Sequence, residues 1–242
     1  MELQLKNNSK QVALATAEIV RDYLQNKPDS LLCFAAGHTQ KETLEILADM
    51  YSDGELNFDQ CRIISLDEWV GLPGELPGTC FHFINNSVLL PMNVSSERYF
   101  FFDGCAADLD AQCTSANEFI DRHGPIDIIV LGVGMNAHLG FNEPGADETL
   151  RSHVCELDNT TKTIGTKYFE GSVPITRGIT LGLHDILSAS TVIVQATGEH
   201  KSDIVKQTYE GEITNLIPAS LARKNAKSVM ILDKPAAAKI QA

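Results

Sequence analysis

With 242 residues, 43% hydrophobic and 21% charged, the chain carries enough apolar material for one sizeable α/β core and too little length for two independent domains. A formal net charge of −13 leaves no basic face for a phosphate backbone, which excludes nucleic acid as a partner. A small anion held by a few local donors is not excluded by bulk charge.

The opening stretch MELQLKNNSK has no apolar leader, and no apolar run along the chain is long enough to span a bilayer. No membrane association is expected, and a cytoplasmic location is the default expectation. Helical periodicity begins at residues 11–24 and is followed by an apolar strand at 31–35. A helix at 41–50, a strand at 62–66 and helices at 81–89 and 109–122 come next, then strands at 126–131 and 191–195. A helix at 201–209 and a strand at 228–232 close the pattern. Each strand is a near-continuous apolar run, as expected where both faces are buried in a parallel sheet. The alternation predicts a single α/β domain over 1–242, built as a doubly wound, mostly parallel sheet with helices on both faces. Cys33, Cys61, Cys80, Cys105, Cys113 and Cys155 include no CxxC pair and no zinc spacing. They read as reduced thiols, several of them core residues.

Ligands of such sheets sit beyond the carboxyl ends of the strands. Chemistry is therefore sought after Ala35, Leu66, Leu131 and Gln195, and polar residues cluster at all four places. In Ala35-Ala36-Gly37-His38-Thr39-Gln40-Lys41-Glu42, Thr39 and Glu42 have capping-box spacing, which makes Thr39 the expected N-cap. The free N–H groups beside Gly37 offer either an anion site or an ordinary well-capped turn. In Ser65-Leu66-Asp67-Glu68-Trp69, two acids stand at a strand end, either as a general base or as a solvated acidic turn with Trp69 as core anchor. The glycine-rich run 132–145 gathers Asn136, His138 and Glu143, and a histidine oriented by an amide or carboxylate is a natural proton shuttle. Gly132-Val133-Gly134 is no dinucleotide fingerprint, because a third glycine at the required spacing and an acid after a second strand are missing. In Gly198-Glu199-His200-Lys201, a lysine begins a helix, either as an anion partner or as a surface lysine.

Three of these segments, Ser-Leu-Asp-Glu-Trp-Val-Gly-Leu, Gly-Val-Gly-Met-Asn-Ala-His-Leu-Gly-Phe-Asn-Glu-Pro-Gly and Gly-Glu-His-Lys, resemble the glucosamine/galactosamine-6-phosphate isomerase (deaminase) family over nearly the whole chain. The wider superfamily includes 6-phosphogluconolactonases. The resemblance implies a Rossmann-like sugar-phosphate isomerase fold and a small-molecule sugar phosphate as partner. By position, Asp67 matches the base that moves a proton between C2 and C1, His138 the ring-opening acid–base, and Glu143 the carboxylate that orients it. Ala36, Gly37, His38 and Thr39 match the phosphate loop and Lys201 the phosphate-binding lysine. Lys167 falls where glucosamine enzymes carry a phosphate-binding arginine, and Arg177 is a second candidate. The chemistry needs no metal or organic cofactor, and the sequence offers no site for one. A homo-oligomer is left open.

Departures from the family pattern set further expectations. Asn136 stands where many glucosamine enzymes have Asp; it can orient His138 without carrying charge. Together with Pro-Gly-Thr-Cys at 77–80, Thr-Arg-Gly-Ile-Thr-Leu-Gly-Leu at 176–183 and Ile-Pro-Ala-Ser at 217–220, it resembles the galactosamine branch. That resemblance implies conversion of galactosamine 6-phosphate to tagatose 6-phosphate and ammonia; the alternative is glucosamine 6-phosphate to fructose 6-phosphate. The chain stops soon after its last strand, so allostery of the kind seen in hexameric glucosamine enzymes is not expected. Gln40 replaces a proline common in the phosphate loop. A lactonase would need no C2 base and would usually lack Asn-Glu-Pro. A non-catalytic sugar-phosphate sensor would carry a basic helix-turn-helix module ahead of the α/β pattern.

Overall fold

All five apolar runs are strands, and each sends alternate residues to opposite faces of one parallel sheet. In the computed structural model, which describes residues 1–171 and 173–241, the chain opens with β1 (Glu2–Lys6), α1 (Ser9–Asn26), β2 (Leu31–Phe34) and α2 (His38–Ser52). β3 (Arg62–Ser65) and β4 (Asp67–Trp69) follow almost without interruption, then α3 (Cys80–Ile84), β5 (Tyr99–Phe100), α4 (Leu109–His123) and β6 (Ile128–Gly132). The second half runs β7 (His153–Glu156), α5 (Asn159–Gly165), β8 (Arg177–Thr180), α6 (Leu183–Leu187), β9 (Thr191–Ala196), α7 (Ser202–Glu210) and β10 (Ser228–Asp233).

Seven strands pair in the order β1-β10-β9-β6-β2-β3-β5, every pair parallel. Because strand side chains alternate, Leu31, Cys33, Ile129, Leu131, Val192 and Val194 enter one core, with Ala116 and Ile120 of α4 and Val205 of α7. Leu32, Phe34, Ile128, Val130, Ile193 and Ile231 enter the other, with Val20 of α1 and Leu44 and Leu47 of α2. Helices therefore cover both faces, as the alternation of elements predicts.

The edge strands and a second sheet are not foreseen by the apolar pattern. β1 reads Glu-Leu-Gln-Leu-Lys and lies half-exposed at the sheet edge, so it alternates instead of running apolar, and β5 is only two residues long at the other edge. The second sheet, β4-β8-β7, is antiparallel and built from strands of three or four residues. The helix expected over 81–89 is also different: α3 ends at Ile84 and continues as one wider turn, closed by Leu90 N–H donating to the Asn85 carbonyl at 2.9 Å.

The small sheet is what shapes the functional edge. Only Leu66 separates β3 from β4, and its carbonyl accepts the Leu181 N–H at 2.8 Å, which ties the end of β8 to that junction. Asp67 is thus the residue at which the chain leaves the large sheet for the small one.

Candidate active site

At the first strand end, β2 delivers the chain to Gly37, whose φ of +134° starts the helix abruptly. α2 begins at His38 and Gly37 is the N-cap, with no side-chain hydrogen bond to the first turn. Thr39 is therefore inside the helix and is not its cap, which corrects the capping-box expectation. The positive φ of Gly37 lets the turn close earlier than the spacing of Thr39 and Glu42 suggests. The Gln40 N–H donates to the Gly37 carbonyl at 3.2 Å, and the His38 and Thr39 N–H groups are left open at the positive end of a 15-residue helix.

The second strand end supplies Asp67, 8% exposed, and Glu68, 1% exposed, so neither is the solvated acidic turn. Their surroundings differ. The Glu68 carboxylate accepts backbone N–H groups of Trp69 at 2.8 Å, Cys80 at 3.1 Å and Phe81 at 2.8 Å, fastening the start of α3 to β4. Burial raises its carboxyl to about 7 against those three donors, but three N–H groups aimed at it are contacts only an ionised acceptor uses fully. Glu68 is structural. Burial likewise pushes Asp67 up to about 7, with a hydrogen bond from the Cys80 thiol opposing and the Glu68 charge adding. Asp67 thus faces the cavity poised between its two protonation states at neutral pH.

The third strand end is a dense polar cluster. Gly134 and Ala137 close a tight turn, Ala137 with φ +67°. A Cβ on Gly134 would fall on the imidazole of His138, so the glycine makes room for that ring. Asn142, fully buried, donates to the carbonyls of Leu139 and Leu181, both at 2.8 Å, which explains the Asn of Asn-Glu-Pro structurally. Glu143 receives Asn136 Nδ2 at 2.8 Å and the Asp158 backbone N–H at 3.1 Å. Burial works to raise the Glu143 carboxyl; the neighbouring His138 and Thr161 side chains, the His138 charge and the Asn136 amide outweigh it and hold the group below its ordinary value. Asn136 does not touch the imidazole: its Oδ1 accepts the His138 backbone N–H at 3.3 Å and its amide serves Glu143.

These three strand ends converge on one cavity of about 320 Å³, whose wall includes Ala36, Gly37, His38, Asp67 and His138. Sequence reasoning missed four of its features. Trp69 and Phe141, tilted at 52° to each other with ring centroids 4.6 Å apart, form an apolar wall, and Gly178 is required because a Cβ there would meet the Phe141 ring. Cys80 places its thiol against Asp67. Tyr168 reaches over the first loop, its hydroxyl 3.9 Å from where a Gly37 Cβ would be. Thr161, on α5, lies 3.0 Å from His138 Nδ1. Trp69 reads in sequence only as a core anchor and Cys80 only as part of the Pro-Gly-Thr-Cys resemblance, and α5 lies outside the predicted elements, so local sequence gave no signal for their place at the cavity.

The three expected cations are not on the cavity wall. Lys201 lies at the same strand edge, where its ammonium donates to the Val133 carbonyl at 2.6 Å and burial lowers it below its ordinary value. Lys167 is exposed on the turn Thr166–Tyr168, and its neighbour Tyr168 takes the position facing the cavity. Arg177 is removed from the site: it lies exposed at the start of β8 and lines a different surface cavity with Val70, Gly71 and Val154. The antiparallel register that buries Gly178 and Ile179 turns Arg177 to that other side. All six cysteines are free, four of them buried. No described helix is long and apolar enough to cross a membrane.

Residues 4–231 match the protein family described as glucosamine-6-phosphate isomerases/6-phosphogluconolactonase. A glucosamine-6-phosphate deaminase of Halothermothrix orenii is 32% identical over 238 residues, covering 98% of this chain and 99% of that protein. Glucosamine-6-phosphate deaminase 1 of Bacillus subtilis is 32% identical over 239 residues, covering 98% and 97%. A solved structure described as a monomeric glucosamine-6-phosphate deaminase superposes with a TM-score of 0.94 at 30% identity, covering 98% of this chain and 99% of that one. The 6-phosphogluconolactonase of Trypanosoma brucei shares the fold, with a TM-score of 0.77 at 18% identity, covering 99% of this chain and 98% of that one.

Proposed function

The chain belongs to the family of glucosamine-6-phosphate isomerases and 6-phosphogluconolactonases, and from that premise we propose that it is a deaminase/isomerase of a 2-amino-2-deoxyhexose 6-phosphate. The observation that carries this is the presence of a buried carboxyl, Asp67, and a hydrogen-bonded imidazole, His138, on one cavity wall. Hydrolysis of a lactone needs no base at C2, whereas moving a proton between C2 and C1 does.

In this reading the phosphate is held by the uncapped first turn of α2, at Ala36, Gly37, His38 and Thr39. Lys201, and Lys167 beside Tyr168, bring positive charge to that end. His138 opens the ring. Asp67 then takes the C2 proton, acidified by the neighbouring aldehyde, and returns it to C1. The electron pair moves through the enol to leave an imine at C2; one water adds and ammonia departs, giving the ketose. Holding the remote phosphate orients C1 and C2 between the two side chains.

Glucosamine 6-phosphate, with fructose 6-phosphate as product, is the substrate that the names of the relatives support. Galactosamine 6-phosphate, the first expectation from sequence, is the second reading. It rests on Asn136, which hydrogen-bonds Glu143 as a neutral amide, and on the resemblance at residues 77–80, 176–183 and 217–220. The test is ammonia release from the two hexosamine 6-phosphates, measured side by side with purified protein. Release from glucosamine 6-phosphate alone supports the first reading, and preference for the galactosamine epimer the second. Release from neither would sink both.

A further inference from the structure

His138 has a carboxylate nearby that does not reach it well. Glu143 Oε2 is 3.5 Å from His138 Nδ1, long for a hydrogen bond between these atoms. The atom in reach of Nδ1 is the Thr161 hydroxyl, at 3.0 Å. Thr161 is 2% exposed, and its hydroxyl is close enough to Glu143 to help hold that carboxyl below its ordinary value. It is held there by α5, whose capping residue Asp158 donates its backbone N–H to Glu143 Oε1 at 3.1 Å. Helix and carboxylate therefore fix each other, and the hydroxyl lies between acid and imidazole.

The direction of these bonds follows from proton counting. An ionised carboxylate only accepts, so the hydroxyl donates its one proton to Glu143. It then has only lone pairs left for the imidazole, and Nδ1 must carry the ring proton. Nε2 is left as the free lone pair, on the ring edge that packs against Gly134. We infer that Thr161 is a positioning residue that relays Glu143 to His138 and fixes the Nδ1–H tautomer, leaving Nε2 to move the ring-opening proton. This rests on the reading of His138 as the ring-opening acid–base. Nε2 takes the proton of the O1 hydroxyl as the O1–H pair becomes the second C1–O bond. The C1–O5 pair goes to O5, and the imidazolium returns the Nε2 proton there, ending neutral as it began. Glu143, acting through Thr161, stabilises the imidazolium between the two transfers.

Thr161→Val removes the hydroxyl at nearly constant shape, and Thr161→Ser keeps it. The tautomer is read by nitrogen-15 NMR of the imidazoles, with His138→Gln identifying the resonances of His138. Wild type and Thr161→Ser are expected to show the Nδ1–H form, and Thr161→Val a mixture or the Nε2–H form; Thr161→Ala is read in its place if the valine variant does not fold. With cyclic substrate, the hydroxyl-less variant is expected to lose about 10- to 100-fold in kcat, part of what general acid–base catalysis supplies. KM should change little, an open-chain analogue should react nearly as with wild type, and serine should recover most of the rate. An unchanged tautomer signal without the hydroxyl, or equal losses for serine and valine, would overturn the relay. If wild type releases no ammonia, the proposed function fails while the NMR reading still decides the role of Thr161.

Discussion

The two ends of the cavity are built on different principles. At the Gly37 end the donors are backbone N–H groups left open by an uncapped helix, and Lys201, half-buried at the same strand edge, is engaged with a carbonyl. At the His138 end the groups are side chains, and Asn136, Glu143, Thr161 and His138 are joined by hydrogen bonds. The first arrangement suits an anion that must be gripped equally before and during reaction. The second suits a proton that must move at one atom and nowhere else. Damage at the Gly37 end should therefore appear in KM, and damage at the Asp67–His138 end in kcat.

The largest effect is expected from Asp67→Asn, which removes the base and keeps the shape. Turnover should fall about a thousandfold, within the usual range for a general base. Stability should move the other way. The folded-state carboxyl sits at about 7, above its ordinary 3.8, so the folded protein binds this proton more tightly than the unfolded chain does. That contribution is complete below the ordinary value and is lost as pH rises through about 7. At pH 8, wild type is thus destabilised by a buried charge that the amide of the Asp67→Asn variant does not carry. Thermal melts should show the variant a few degrees higher at pH 8 and level with wild type near pH 4. A variant that is both active and no more stable at pH 8 would break the assignment of Asp67.

His138→Gln comes next. It should cost about a hundredfold with cyclic substrate and little with an open-chain analogue, because only the former needs a proton at the ring oxygen. Equal losses on the two would move His138 out of ring opening, and with it the contrast between the two ends.

How much of this was legible in sequence follows the same division. Buried parallel strands announce themselves because both faces need apolar side chains, and the five runs match the observed strands to within one or two residues. The meeting of Asp67 and His138 at one cavity was legible because strand ends of such a sheet converge; the roles of these two and of Glu143 came only from the family resemblance. The short antiparallel strands were not, since three or four residues leave no periodicity, and without that sheet the side to which Arg177 turns is undetermined. Thr161 and Cys80 were invisible for another reason: their roles come from His138 and Asp67, far away in sequence and on other elements.

At the Gly37 end, Lys201→Ala should raise KM about tenfold and leave kcat nearly as it was, since the lost contact is made to ground and transition states alike. Steady-state kinetics decide it; a fall in kcat at unchanged KM would place Lys201 with the chemistry and blur the division between the ends.

The smallest expected effect is the most discriminating. The Cys80 thiol hydrogen-bonds Asp67 and lowers a carboxyl that burial raises. Cys80→Ala removes that donor, so Asp67 should hold its proton to higher pH. Because the base must be ionised, the acidic limb of kcat/KM should move toward alkaline pH by a fraction of a unit, with the plateau above it little changed. Cys80→Ser, which keeps a donor, should leave the limb close to that of wild type or displace it toward acid. A plateau that falls in both variants while the limb stays fixed would mean that Cys80 shapes the cavity wall without tuning the base, and that the Asp67 carboxyl is set by burial alone.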